Sequence, residues 1–159
     1  RLEKIFDKKN IRVFIDYAHS PDAIKKVLSS LKKITLGKLI LVFGCGGDRD
    51  KLKRNQMTRE ALKYSDIIII TDDNPRFEDP KKIRDDMIRD LKSEDLKKIK
   101  VIGNREIAIK KAVNFLSEQD VLLIAGKGHE NYQLIKNKKN FFSDKITAKA
   151  YLKKNEYFN

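Results

Sequence analysis

At 159 residues and 40% hydrophobic content, the chain suits one domain with a core of its own. No run approaches the roughly 20 apolar residues of a membrane span and no signal peptide opens the chain, while the single cysteine, Cys45, excludes an intramolecular disulfide framework and fits a reducing cytoplasm. The net charge of +13 invites a nucleic-acid role, but 27 of the 36 basic residues are Lys, scattered among acids with no aromatic platform between them; they read as a solvated surface with a weak pull on anionic ligands.

In chain order, "RVFIDYA" (12–18), "KLILVFG" (38–44), "DIIIIT" (66–71), "IKVIG" (99–103) and "DVLLIAG" (120–126) read as short buried strands. Their apolar runs do not alternate, which predicts a sheet covered on both faces. Between them, Ile24, Val27, Leu28 and Leu31 fall at helical spacing, as do Ile109, Ala112, Val113 and Leu116. Ser20 before Pro21 and Asp79 before Pro80 read as N-caps followed by proline at the first helical position. Repeated strand–helix alternation predicts an α/β, Rossmann-like fold, a mostly parallel sheet flanked by helices with right-handed crossovers. After residue 130, "NYQLI" and "KNFFSD" flank a polar turn and predict an antiparallel edge strand or hairpin, followed by a last helix over 144–154.

The unusual residues cluster where those strands end. Gly44, Gly46, Gly47, Gly103, Gly126 and Gly128 lie there, as do His19, His129 and Cys45. The loops "DYAHSPD", "GCGGDRDK", "TDDNPR", "GNRE" and "GKGHE" each read as strand-to-helix junctions, hence at the carboxyl edge of the sheet, where open α/β folds bind ligands. Singly, each loop has a bland reading. "GCGGDRDK" can cradle a phosphate or simply turn; it lacks the third glycine of a dinucleotide fingerprint, and no Walker A pattern occurs in the chain. The two histidines lack partners at ligand spacing, which argues against zinc. Asp72 and Asp73 can bind magnesium or cap a turn, and Cys45 reads as a packing residue, since no nucleophile arrangement is legible.

Taken together, "DYAHSPDA", "VFGCGGDRDK", "TDDNPR", "VIGNREIAI" and "IAGKGHENYQ" occur in an order and spacing that closely resembles the carboxy-terminal domain of the Mur ligases, across essentially the whole of 1–159. "DNPR" resembles the motif of the members that add meso-diaminopimelate, and folylpolyglutamate synthetases share the architecture but not that motif. Mur ligases phosphorylate a substrate carboxylate with ATP, after which an amino group attacks the acyl phosphate to form an amide. The resemblance implies a fragment of such an enzyme: the domain that binds the incoming amino acid and completes the nucleotide site, opening at Arg1 without Met. On that reading the first domain (holding the UDP-N-acetylmuramoyl-dipeptide) and the central ATPase domain (with the P-loop and most Mg2+ contacts) lie outside this chain. No catalytic or metal-binding residue is then expected here, and the isolated fragment should turn over no ATP.

For the site residues the resemblance implies that Arg49 and Arg76 bind carboxylate and Glu130 pairs with an ammonium. Asn74 would accept from an ammonium and donate to a carboxylate, Asp73 would brace the loop, Pro75 would hold Asn74 extended, and the Gly126 backbone would line the pocket. Arg1 would approach the nucleotide phosphates and Asp16 the ribose hydroxyls, with His19 nearby. Lanthionine presents the same ends as diaminopimelate, so the motif leaves both open. The chief rival reading is a self-standing nucleotide- or phosphate-binding α/β module. For Arg76 alone, the rival is a loop-ordering pair with Asp72, Asp73 or Glu78.

Overall fold

The computed structural model describes residues 1–155. Strands β1 (Glu3–Lys8), β2 (Ile11–Asp16), β3 (Leu39–Phe43), β4 (Ile67–Ile70), β5 (Ile99–Val101) and β6 (Val121–Ala125) form one sheet in the order β1-β2-β6-β3-β4-β5. All neighbours are parallel except β1, which runs antiparallel to β2. Helices α1 (Pro21–Ile34), α2 (Leu52–Leu62), α3 (Pro80–Met87), α4 (Ser93–Leu96) and α5 (Arg105–Phe115) make the crossovers, and α6 (Asp144–Lys154) ends the domain. No helix among the described residues is long and apolar enough to cross a membrane.

The two-sided burial follows from the pleat. In β3, Leu39, Leu41 and Phe43 point into a core with Ile24, Leu28 and Leu31 of α1 and Met57 and Ala61 of α2. Ile40 and Val42 point the other way, onto Ala108, Ile109, Ala112 and Val113 of α5 and Ala148 and Leu152 of α6. The predicted caps form: Ser20 Oγ accepts from Ala23 N at 3.2 Å, and Asp79 Oδ1 accepts from Lys81 N at 3.0 Å.

Three features differ from the sequence expectation. The antiparallel edge strand of the main sheet is the amino-terminal β1; a register shift between Lys4 and Phe6 buries the adjacent Ile5 and Phe6 together, which hides its alternation. Strand β5 is not buried: as the opposite edge it exposes Lys100 and Val101. "GKGHE" leads from β6 into a hairpin rather than a helix. That hairpin, β7 (Tyr132–Ile135) and β8 (Lys138–Phe141), is a separate two-stranded sheet docked on the "DNPR" loop, with Arg76 N donating to Leu134 O at 3.0 Å and Lys136 N donating to Arg76 O at 2.7 Å.

Candidate functional site

The carboxyl ends of β2, β6, β3 and β4 lie side by side, so the loops that follow them converge on one cleft of ≈ 210 Å³. It brings together Arg49, Asp73, Asn74, Arg76, Gly126 and Glu130, with His19 and Tyr17 also lining it. Glycine sets how closely the loops approach. A Cβ on Gly47 would stand 1.9 Å from Pro75 O, and Gly47 N donates to Asn74 O at 2.8 Å, so the β3 and β4 loops are zipped backbone to backbone. Gly126, at φ +113°, sits where a Cβ would press within 2.8 Å of Asp73 Oδ2. Arg76 itself has φ 54°, a conformation a non-glycine residue holds only when its surroundings enforce it; the two hairpin hydrogen bonds do so.

Every acid of the "TDDNPRFED" segment is already engaged. Asp72 pairs with Arg84, and burial pushes its carboxyl up against the pull of that guanidinium. Asp73 Oδ1 lies 3.0 Å from Lys127 Nζ, a charge contact outside the buried oxygen's hydrogen-bond directions. Glu78 takes both guanidinium nitrogens of Arg54 at 2.7 and 2.9 Å, which with a bond from Asp48 N holds its pKa down at about 2. Asp79 caps α3. Arg76 therefore has no carboxylate partner among the described residues; its Nη1 meets only the carbonyls of Gly47 at 3.0 Å and Asn74 at 3.4 Å. Pairing with Asp72, Asp73 or Glu78 is not what orders this loop.

The chain matches the family model described as Mur ligase, glutamate ligase domain over residues 1–128. The chain belongs to the Mur ligase family. It is 51% identical over 155 residues to the UDP-N-acetylmuramoyl-L-alanyl-D-glutamate–2,6-diaminopimelate ligase of Rickettsia rickettsii, covering 96% of this chain and 31% of that protein. Against the ligase of the same name from Bacteroides thetaiotaomicron it is 48% identical over 151 residues, covering 94% of this chain and 31% of that protein. A solved structure of a ligase with that name superposes with a TM-score of 0.92 at 39% identity, over 98% of this chain and 32% of that one. The folylpolyglutamate synthase of Mycobacterium tuberculosis, at 20% identity over 79% of this chain and 29% of that one with a TM-score of 0.61, shares the fold alone. The chain thus spans about a third of the length of the curated relatives it matches.

Within this Mur ligase domain, Pro75, Arg1 and Asp16 are not among the residues lining the cleft, whereas His19 is. Pro75 does not line it and acts through its carbonyl against Gly47. The Arg1 side chain is 97% exposed, and only its backbone amine approaches Asp16, at 3.6 Å. Asp16 Oδ2 is spent on Ala18 N at 2.8 Å, and His19 Nδ1 faces Tyr17 O at 2.8 Å. Asn74 differs from expectation in chemistry: its Oδ1 already accepts from Lys127 Nζ at 2.8 Å and Leu134 N at 2.9 Å, leaving Nδ2 to face Glu130 Oε1 at 3.4 Å.

Three fully buried cations escaped the sequence reading: Arg54, Arg105 and Lys127. Arg105 grips Asp144 through two bonds at 2.8 and 2.9 Å and donates to Ala125 O and Asp72 O, tying the ends of β6 and β4 together. One signal was available. Arg105 opens α5 directly after its Asn104 cap, at the positive end of the helix dipole, where a basic residue needs another reason to stand.

Proposed function

We propose that this chain is the carboxy-terminal domain (residues 1–159) of an ATP-dependent, amide-forming ligase of peptidoglycan synthesis, and that the cleft binds the incoming amino acid. The amino acid is meso-diaminopimelate or a close isostere, and the acceptor is UDP-N-acetylmuramoyl-L-alanyl-D-glutamate. The observation that carries this is Arg76: a guanidinium in a ligand cleft while the acids of its own loop, Asp72, Asp73 and Glu78, are all paired elsewhere. A carboxylate ligand supplies the missing partner through charge-assisted hydrogen bonds. Asn74 Nδ2 adds a donor, Arg49 lines the same cleft, and Glu130 offers a carboxylate to an ammonium. Those groups match one zwitterionic end of a diamino dicarboxylic acid. Fixing that end leaves the amine at the other end free to reach the activated carboxyl, where the new C–N bond replaces the bond to the departing phosphate.

ATP and the dipeptide precursor are assigned chiefly to the rest of the ligase, with His19, Asp16 and Arg1 as this domain's contribution toward the nucleotide. Among the described residues no three His, Cys, Asp or Glu side chains gather to hold a metal ion, and Mg2+ is assigned to the rest of the ligase with the ATP. The reading requires no nucleic-acid or membrane partner and puts the reaction in the cytoplasm, where its ATP is.

The test is initial-rate kinetics on the full-length ligase with each substrate varied in turn. Arg76→Ala removes charged hydrogen bonds worth roughly 1.5–3 kcal/mol, an increase of about 10- to 150-fold in KM for the amino acid. The KM values for ATP and the precursor should hold, and Arg76→Lys should recover only part of the loss. An equal loss for all three substrates, or a collapse in melting temperature, would show Arg76 to be structural and the cleft misassigned.

A further inference from the structure

We propose that Lys127 is the positioning residue that orients the clamp. The inference rests on the reading of the cleft as an amino-acid site and adds what decides its polarity. Lys127 follows Gly126 at the end of β6, and its side chain is fully buried. An ammonium has three protons. Here two of them are donated, to Asn74 Oδ1 at 2.8 Å and Tyr132 O at 2.9 Å, while Asp73 Oδ1 at 3.0 Å is a charge contact and Glu130 Oε1 lies further off at 3.8 Å.

Two consequences follow from that geometry. The first concerns the Asn74 amide. Its oxygen is held inward by two donors, Lys127 Nζ and Leu134 N, so turning it over would set the amide NH2 against an ammonium and a backbone N–H. The outward group is therefore fixed as a donor, suited to a carboxylate and unsuited to an ammonium. The second concerns charge. Asp73 lines the same cleft as Arg76, and an uncompensated carboxylate there would compete with a ligand for the guanidinium. The buried ammonium neutralises it in a place where screening by salt is weak. Lys127 thus reserves Arg76 for the ligand's carboxylate and keeps Asn74 Nδ2 outward as a donor, with one of its two protons toward Glu130 Oε1 at 3.4 Å and the other left for the ligand; Glu130 remains the acceptor for the ligand's ammonium. It touches no ligand and acts only through Asp73 and Asn74.

This sets a selectivity, and selectivity separates a positioning role from a purely structural one. The comparison is between meso-diaminopimelate and L-lysine, which lacks the second carboxylate, as substrates of the full-length ligase. In Lys127→Met the amide oxygen keeps only Leu134 N as a donor, so its orientation is less firmly held, and Asp73 is uncompensated. The KM for diaminopimelate should rise by about tenfold or more, the effect of losing a hydrogen bond to a charged group. L-lysine should lose far less, so the ratio of the two kcat/KM values falls by a similar factor, while KM for ATP does not move. Equal losses for both amino acids, or an unchanged ratio, would overturn the proposal. If Lys127→Met does not fold, Asn74→Asp provides the same readout: it keeps an oxygen for Lys127 and replaces the outward donor with an acceptor. It should lose the preference for diaminopimelate while melting near wild type, and a retained preference would overturn the proposal. A wild-type ligase that does not add diaminopimelate would instead sink the amino-acid reading of the cleft itself.

Discussion

Replacing Glu78 with Gln tests whether the site loops are held by buried charge. Glu78 receives two bonds from Arg54, itself fully buried, and one from Asp48 N at 3.0 Å. Arg54 also reaches Asp86 at 3.1 Å and Gly46 O at 2.9 Å, so the network joins α2, α3 and the glycine loop of the cleft. The Arg54 guanidinium is the main reason the Glu78 carboxyl falls from 4.5 to about 2. A drop of that size corresponds to roughly 3 kcal/mol at most, and solvent at the edge of the pair reduces it to about 1–2 kcal/mol. The folded pKa lies below the unfolded one. The contribution is therefore fully present above the unfolded value and is lost as pH falls through about 2. At pH 7, Glu78→Gln should lower the melting temperature by about 2–8 °C for a domain of this size. Below about pH 2 the variant and the wild type should converge, because the wild-type carboxyl is then protonated too. Thermal melts of both proteins across that range decide it. A difference that does not change with pH, or no difference at pH 7, would refute the electrostatic account.

Two further outcomes check the buried groups around the cleft. Asp144→Ala leaves Arg105 as an unpaired charge where both side chains are fully buried, and should cost about 3–5 kcal/mol in urea unfolding, far more than a surface acid. Burial pushes the Cys45 thiol up to about 12, so a disulfide reagent at pH 8 should label it only as fast as the domain opens, and prompt labelling of the native protein would contradict its place in the core.

What the sequence disclosed depended on the distance over which each signal acts. The central strands β3 and β6 announce themselves because every one of their residues is buried, which leaves an unbroken apolar run. The caps at Ser20 and Asp79 were legible because a proline follows each within the same turn. Strand β1 was not, since its bulge breaks the period and leaves only two buried residues. Of the cleft, Arg49, Asp73, Asn74, Arg76, Gly126 and Glu130 were expected together and lie together, because they sit at strand ends that the topology makes adjacent. The buried cations were hidden for the opposite reason. Lys127 meets Asn74 across 53 positions of chain and Arg105 meets Asp144 across 39, so even where a local signal exists, as for Arg105 at the start of α5, nothing local names the partner. In a chain with 27 lysines, the one that is fully buried looks like all the others.

The same pairs explain how, on the proposed reading, an acidic stretch becomes a place for carboxylates. Residues 71–79 carry Asp72, Asp73, Glu78 and Asp79 against the single cation Arg76, a net charge of −3 on sequence alone. A ligand carboxylate should be repelled from such a segment. The fold brings Arg84, Lys127 and Arg54 against three of those acids and gives the fourth to the start of α3. The local charge is offset from behind, and the arginine left over faces the cleft. Burying ions is costly, and much of what each of these pairs gains goes to offset its own desolvation, so stability alone is a weak reason for three of them to crowd one loop. Preorganisation is a stronger one. Donors whose internal partners are excluded in advance need no rearrangement when the ligand arrives. The dispersed surface lysines, by contrast, add only a screened and unspecific field. On the proposed reading of the cleft, its preference for a carboxylate comes from which of its acids are already occupied, and the net charge of +13 has little part in it.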